Sequence, residues 1–239
     1  YIYIWGGPHE TDEILNSEFG GVVEEAVIEK LVDELNDIAL EWSNIPHETS
    51  YEDDYNETKE QTPLIVYTNA IDVIANLSEL KVEGKNKTTL FNMLFAQSIT
   101  ALETYLADFF KSKVYNNEGI LRKFLECNKD FEKEVIGINE LFKRNETIKV
   151  FCIDYLNSIM WHNLAKVSEL YKATFDIVFP KKLSVIYTGI LKRHDIVHRS
   201  GKTKDGKNVE VQKHEIAELI AKITELVEHI DKEYQEKNA

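Results

Sequence analysis

Apolar residues recur along this chain mostly at helical spacing, and the pattern changes character near residue 62. Before that point the order is mixed. The run Tyr1-Ile2-Tyr3-Ile4-Trp5 reads as a strand and is broken by Gly6-Gly7-Pro8. Residues 22–42 then set Val23, Val27, Leu31, Leu35, Ile38 and Trp42 at the spacing of an amphipathic helix. From Ser43 to Thr62 the chain is polar and acidic with little apolar content, the pattern of a linker or mobile loop.

From Pro63 onward the period is helical almost throughout. Pro63 suits a first helical turn, and the helix it opens is expected to run to Leu80. After the polar break Glu83-Gly84-Lys85-Asn86-Lys87, Thr88 is placed to cap a helix reaching about Lys113, with Leu90, Leu94, Ile99, Leu102, Leu106 and Phe109 inward. Beyond Asn116-Asn117-Glu118-Gly119 come two long stretches, about 120–143 and 147–178, the second strongly aromatic and stopped by Phe179-Pro180. A helix over Lys182–His198 with the stripe Leu183, Ile186, Ile190 and Val197 precedes a Gly/Lys loop. A last helix near 212–236 would bury Ile216, Leu219, Ile223, Leu226 and Ile230. The expected fold is mainly α: a bundle of five to six helices, preceded by a small acidic N-terminal α/β or irregular unit. The expected division is 1–62 for that unit, 63–87 for a connecting helix and 88–239 for the helical domain.

No apolar run approaches the roughly 20 residues needed to cross a membrane, so no membrane partner is expected. The two cysteines, Cys127 and Cys152, give no disulfide framework, and a cytoplasmic location is expected. The opening at Tyr1, inside an apolar run, leads to the expectation that the natural N-terminus lies upstream. The net charge of −14 argues at first against a nucleic-acid partner, but its distribution reverses that. Residues 1–62 hold 17 acidic against two basic residues, whereas 181–213 hold nine basic against three acidic ones. A phosphate backbone responds to the local patch and not to the molecular sum. The split also suggests that the acidic unit restrains the basic site or recruits a partner; that it merely aids solubility stays open.

Chemistry concentrates in Leu191-Lys192-Arg193-His194-Asp195-Ile196-Val197-His198-Arg199-Ser200-Gly201. Into the last turn and a half of an apolar-striped helix the chain packs Arg, His, Asp, His and Arg. A core-facing helix rarely accepts five such residues together without a use for them. At about 100° per residue, His194 and His198 share a face, and Arg193 and His198 lie about 140° apart. A permanently charged phosphate binder thus stands beside a group that titrates near neutral pH.

Arg193, a polar residue at His194, three more residues and then His198 resemble the motif of HEPN endoribonucleases (higher eukaryotes and prokaryotes nucleotide-binding). The longer run through Arg199, with Gly201-Lys202-Thr203, is similar to the prokaryotic branch found in toxin and anti-phage loci. Ser98-Ile99-Thr100-Ala101-Leu102-Glu103-Thr104-Tyr105-Leu106 resembles that branch's opening helix. The resemblance covers about 88–239 and leaves 1–62 without a family. It implies metal-independent cleavage of RNA without a cofactor, in a homodimer whose motif helices meet in a composite active site. It also implies a toxin or defence effector, with an antitoxin or defence-system protein as partner. Arg193 and His198 would be catalytic and His194 would support them. Asp195 would orient an imidazole, Glu103 would anchor Arg193, and Lys192, Arg199, Lys202 and Lys204 would bind RNA.

Other readings of the same residues stay open. His194 and His198 at i, i+4 suit two zinc ligands, although no Cys/His cluster supplies a third. Arg193 and His198 could be a charged helix end paired with acids. A HEPN module without activity, binding a nucleotide or a partner protein, is the alternative function. His162, beside Trp161 in the aromatic stretch, reads as a core or interface histidine.

Overall fold

The computed structural model describes residues 9–39, 41–42, 62–132 and 135–238. The expected opening strand, its Gly-Gly-Pro break and nearly all of the acidic linker lie outside the described residues. The chain divides into two compact units, residues 1–58 and 59–239.

In the first unit a two-residue strand β1 (His9–Glu10) pairs antiparallel with β2 (Glu41–Trp42) and leads into helix α1 (Thr11–Phe19), followed by α2 (Glu25–Asn36). The sequence pattern did not reveal α1, and α2 is shorter than the expected 22–42 helix. Its inward residue is Ile28, while Val27, Leu31 and Ile38 are exposed. The unit closes instead around the buried Thr11, whose hydroxyl donates to Asn36 Oδ1 at 2.8 Å and accepts from Trp42 Nε1 at 3.0 Å.

The second unit is a helical bundle. Its members are α3 (Pro63–Ser78), α4 (Gly84–Asn116), α5 (Glu118–Cys127), α6 (Leu141–Asn157), α7 (Leu164–Phe175), α8 (Ser184–His198) and α9 (Lys213–Asn238), with short 3-10 turns at Lys129–Phe131 and Ile138–Glu140. Helix α4, about 50 Å long at 1.5 Å per residue, is the spine against which α3, α5, α6, α8 and α9 pack. Its buried residues, from Phe91 through Phe95, Ile99, Leu102, Tyr105 and Leu106 to Phe110 and Val114, wrap most of its circumference. A helix apolar on so many sides must be enclosed by others.

Several boundaries differ from those expected. Helix α3 is a member of the bundle and not a connector: Tyr67, Ile71 and Ile74 are buried, and the Tyr67 hydroxyl lies 2.8 Å from Thr224 Oγ1. Thr62 caps it, accepting from Ile65 N–H at 3.3 Å. Helix α4 starts at Gly84, four residues before Thr88. The two long stretches expected over 120–143 and 147–178 are broken into shorter helices. At Asn163, the side chain accepts from Lys166 N–H and so starts α7 afresh. Trp161 Nε1–H folds back onto Leu156 O at 3.2 Å, fixing the intervening turn. Helix α7 ends at Phe175, before the expected Phe179-Pro180, because Asp176 takes a left-handed conformation (φ 60°). In α9 the five expected core residues are all buried. Among the described residues no helix is long and apolar enough to cross a membrane.

Candidate functional site

The motif lies on α8, which packs on both α4 and α9. Close packing there depends on Gly189. A Cβ at that position would stand 2.9 Å from Leu219 Cδ1 on α9 and 3.3 Å from Ile99 Cδ1 on α4. The inward face of α8 therefore runs through Leu183, Ile186 and Gly189. Val197, expected on the buried stripe, is 49 % exposed, and Arg193 and Ile196 turn towards the bundle in its place as half-buried residues. Gly189→Val should wedge α8 away from α4 and α9, at a cost of about 1–3 kcal/mol for overpacking. A lowered melting temperature checks this; an unchanged one would mean that α8 does not sit this close.

Arg193 points to α4. Its Nη2 lies 4.0 Å from Glu103 Oε2, and both side chains are only 20 % exposed. Glu103 Oε1 lies 3.3 Å from His162 Nδ1, in the turn between α6 and α7. The two groups are in close contact, but the alignment is not that of a hydrogen bond. Glu103 Oε1 and Arg193 Nε are both buried and, among the described residues, without a hydrogen-bond partner. Sequence reasoning assigned His162 to the core or an interface and missed it here. The available signal was Asn163, a good helix N-cap residue, which marks residue 162 as lying in a turn instead of a continuous helix.

The two motif imidazoles face outward. His194 and His198 are both exposed, with ring centroids 4.8 Å apart and planes inclined by 42°. One turn and two turns earlier on the same face stand Leu191 and Tyr187, 71 % and 44 % exposed. Tyr187, Leu191, His194 and His198 follow the 4-3-4 spacing of one helical stripe. Helix α8 stops just after His198, as Ser200 and Gly201 both adopt positive φ and Gly201 N–H returns to the carbonyls of Asp195 and Ile196.

Three of the other expected site residues have different partners from those foreseen. The Asp195 carboxylate is taken by Arg199 one turn on, so it orients neither imidazole, and the same pair ties up the Arg199 guanidinium. Lys192 is half-buried, 2.7 Å from Glu215 Oε1 and over the Phe95 ring. Burial alone would raise the Glu215 carboxyl, but hydrogen bonds from Lys192 and the Gln212 N–H hold it below its ordinary range. Glu215 is therefore a firm anionic partner, and Lys192 belongs to the α8–α9 contact instead of a phosphate-binding surface. Lys202 and Lys204 remain exposed, together with Lys207, on a tight hairpin.

That hairpin is closed by Val209 N–H to Gly201 O at 2.7 Å and Thr203 N–H to Lys207 O at 2.8 Å, with Gly206 at φ 77° in its turn. Asn92 of α4 then fixes its exit, donating to Val209 O at 2.9 Å and accepting from Val211 N–H at 3.2 Å. A basic loop directly after His198 is thus fastened to the bundle and not left loose. Among the described residues no group of three or more His, Cys, Asp or Glu side chains is arranged to hold a metal ion.

Compared with known proteins, the chain matches no family model, no curated protein and no solved structure.

Proposed function

We propose that the helical unit is a metal-independent endoribonuclease of the HEPN type, acting without a cofactor. The observation that carries the reading is the end of α8, where a bundle-braced Arg193 and the exposed His194 and His198 stand directly before a fastened lysine hairpin. A structural ion pair would be expected to saturate the guanidinium. Here the contact to Glu103 is long and, among the described residues, Nε has no hydrogen-bond partner, which favours a group kept for a ligand.

In the proposed reaction, His198 takes the proton of a ribose 2′-hydroxyl. The oxygen attacks the adjacent phosphorus, the bond to the 5′-oxygen breaks, and that oxygen receives a proton from an acid. The products are a 2′,3′-cyclic phosphate and a 5′-hydroxyl. Arg193 would hold the non-bridging oxygens while charge builds on them. Lys202, Lys204 and Lys207 would track the RNA backbone, a contribution that weakens with salt.

The acid is assigned to His198 of a second copy, in a homodimer with a composite site. The exposed Tyr187–Leu191–His194–His198 stripe supports this, since a large apolar side chain such as Leu191 beside two imidazoles suits a self-complementary two-fold contact. Mixing wild type with an excess of His198→Ala should depress activity beyond simple dilution. A monomer in solution that cleaves RNA at full rate would end the composite site. A role as toxin or anti-phage effector, restrained by an antitoxin or defence-system protein in the cytoplasm, belongs to the same proposal. Its test is growth arrest on expression, lost with the activity. The reading as a whole is tested by the ends of the cleaved RNA, where 5′-phosphates would exclude this mechanism.

A further inference from the structure

We infer that His162 is a positioning residue, which sets the Arg193 guanidinium through the carboxylate of Glu103. The inference extends the ribonuclease reading, on which it rests, by a residue outside the motif helix and outside the segments that carry the resemblance. Three side chains from three elements meet: Glu103 from α4, Arg193 from α8 and His162 from the turn joining α6 to α7. Glu103 stands between the other two, one oxygen towards each.

The network is under-bonded. Among the described residues, a buried carboxylate oxygen and a buried guanidinium N–H both lack hydrogen-bond partners although complementary groups stand within a few ångströms. Buried polar groups are nearly always paired, so two orphans at one place call for a reason. Catalytic hydrogen bonds are often long in the unliganded enzyme and tighten once substrate is bound. Glu103 shared with His162 pulls Arg193 less than Glu103 alone would, leaving guanidinium donors for a phosphate. Without His162 the carboxylate is free to close fully on Arg193 and draw it back towards α4. The turn bearing His162 is itself held firmly, by Trp161 against Leu156 on one side and by the Asn163 cap on the other. The imidazole is therefore presented by a defined backbone and not by a loose loop.

The test has an arm that needs no activity. In full-length protein, the ¹H–¹⁵N signal of Arg193 Nε–H should move in His162→Ala and return towards its wild-type position in His162→Gln, whose amide can donate to Glu103. In RNA cleavage, His162→Ala should lower kcat about ten-fold, the size of a coupling within one contact network, with KM nearly unchanged. In a Glu103→Ala background, adding His162→Ala should cost nothing more. An unmoved Arg193 signal would overturn the inference whatever the kinetics, and so would losses that simply multiply in the double variant. Wild-type protein inert towards RNA would overturn the ribonuclease reading instead, with the guanidinium signal still deciding the network.

Discussion

His198→Ala should reduce RNA cleavage by roughly 10²–10⁴-fold, the range for loss of a general acid or base, while the protein melts as the wild type does. The imidazole is exposed at the end of α8, beside the His194 ring. Its removal opens no cavity and strands no buried partner. Arg193→Ala should cost about 10²–10³-fold, the usual loss on removing one donor that stabilises transition-state charge. Its effect on stability is different, because it leaves the half-buried Glu103 with His162 as its one remaining charge-pair neighbour among the described residues. A drop of about 1–3 kcal/mol is expected for that stranded carboxylate, so Arg193→Lys is the cleaner probe. It keeps the charge but loses the planar fork, and activity should still fall sharply. EDTA should leave cleavage intact. Full activity in His198→Ala, or activity abolished by chelation, would sink the proposed mechanism.

How much of this was legible beforehand depended on whether an apolar position stood where the period required one. Helix α9 was readable because Ile216, Leu219, Ile223, Leu226 and Ile230 keep unbroken three-four spacing, and all are buried. The face of α8 was misread at its last turn. Gly189 forms the inward contact but carries no side chain to count, so the stripe was extended to Val197, which is exposed. The break between α6 and α7 was hidden because its turn holds Ile159, Met160 and Trp161, apolar residues that mimic a continuing helix. His162 was lost with it. Asp195 with Arg199 was available from i, i+4 spacing; the carboxylate was instead assigned to an imidazole. Lys192 could not have been placed from sequence, since its partner Glu215 lies on another helix.

Phe110→Ala should destabilise the helical unit by about 3–5 kcal/mol, the largest stability loss expected of a single side chain at the centre of the bundle. Phe110 is fully buried on α4. Its ring meets Phe175 at 4.7 Å, Tyr171 at 5.3 Å and Phe124 at 5.4 Å, all near edge-to-face, and Trp161 at 5.9 Å. Such pairs add about 0.5–1.5 kcal/mol each to the burial itself, and rigid rings on two other helices and a turn cannot collapse into the space left behind. For a unit of this size the melting temperature should fall by on the order of 10 °C. Cys152 offers a second measure under native conditions. It is completely buried on α6, and burial pushes its thiol up to about 12, so a thiol reagent reacts with it only after the unit opens. If opening is in rapid equilibrium, labelling of Cys152 should quicken by roughly 10²–10³-fold, each 1.4 kcal/mol being ten-fold. Phe110→Leu, which keeps most of the volume, should cost far less. Because Trp161 leans on Phe110 and precedes His162, the same loosening should reach the site, and folded Phe110→Ala protein should cleave RNA more slowly. Labelling of Cys152 at the wild-type rate would show that the aromatic cluster does not hold these helices together.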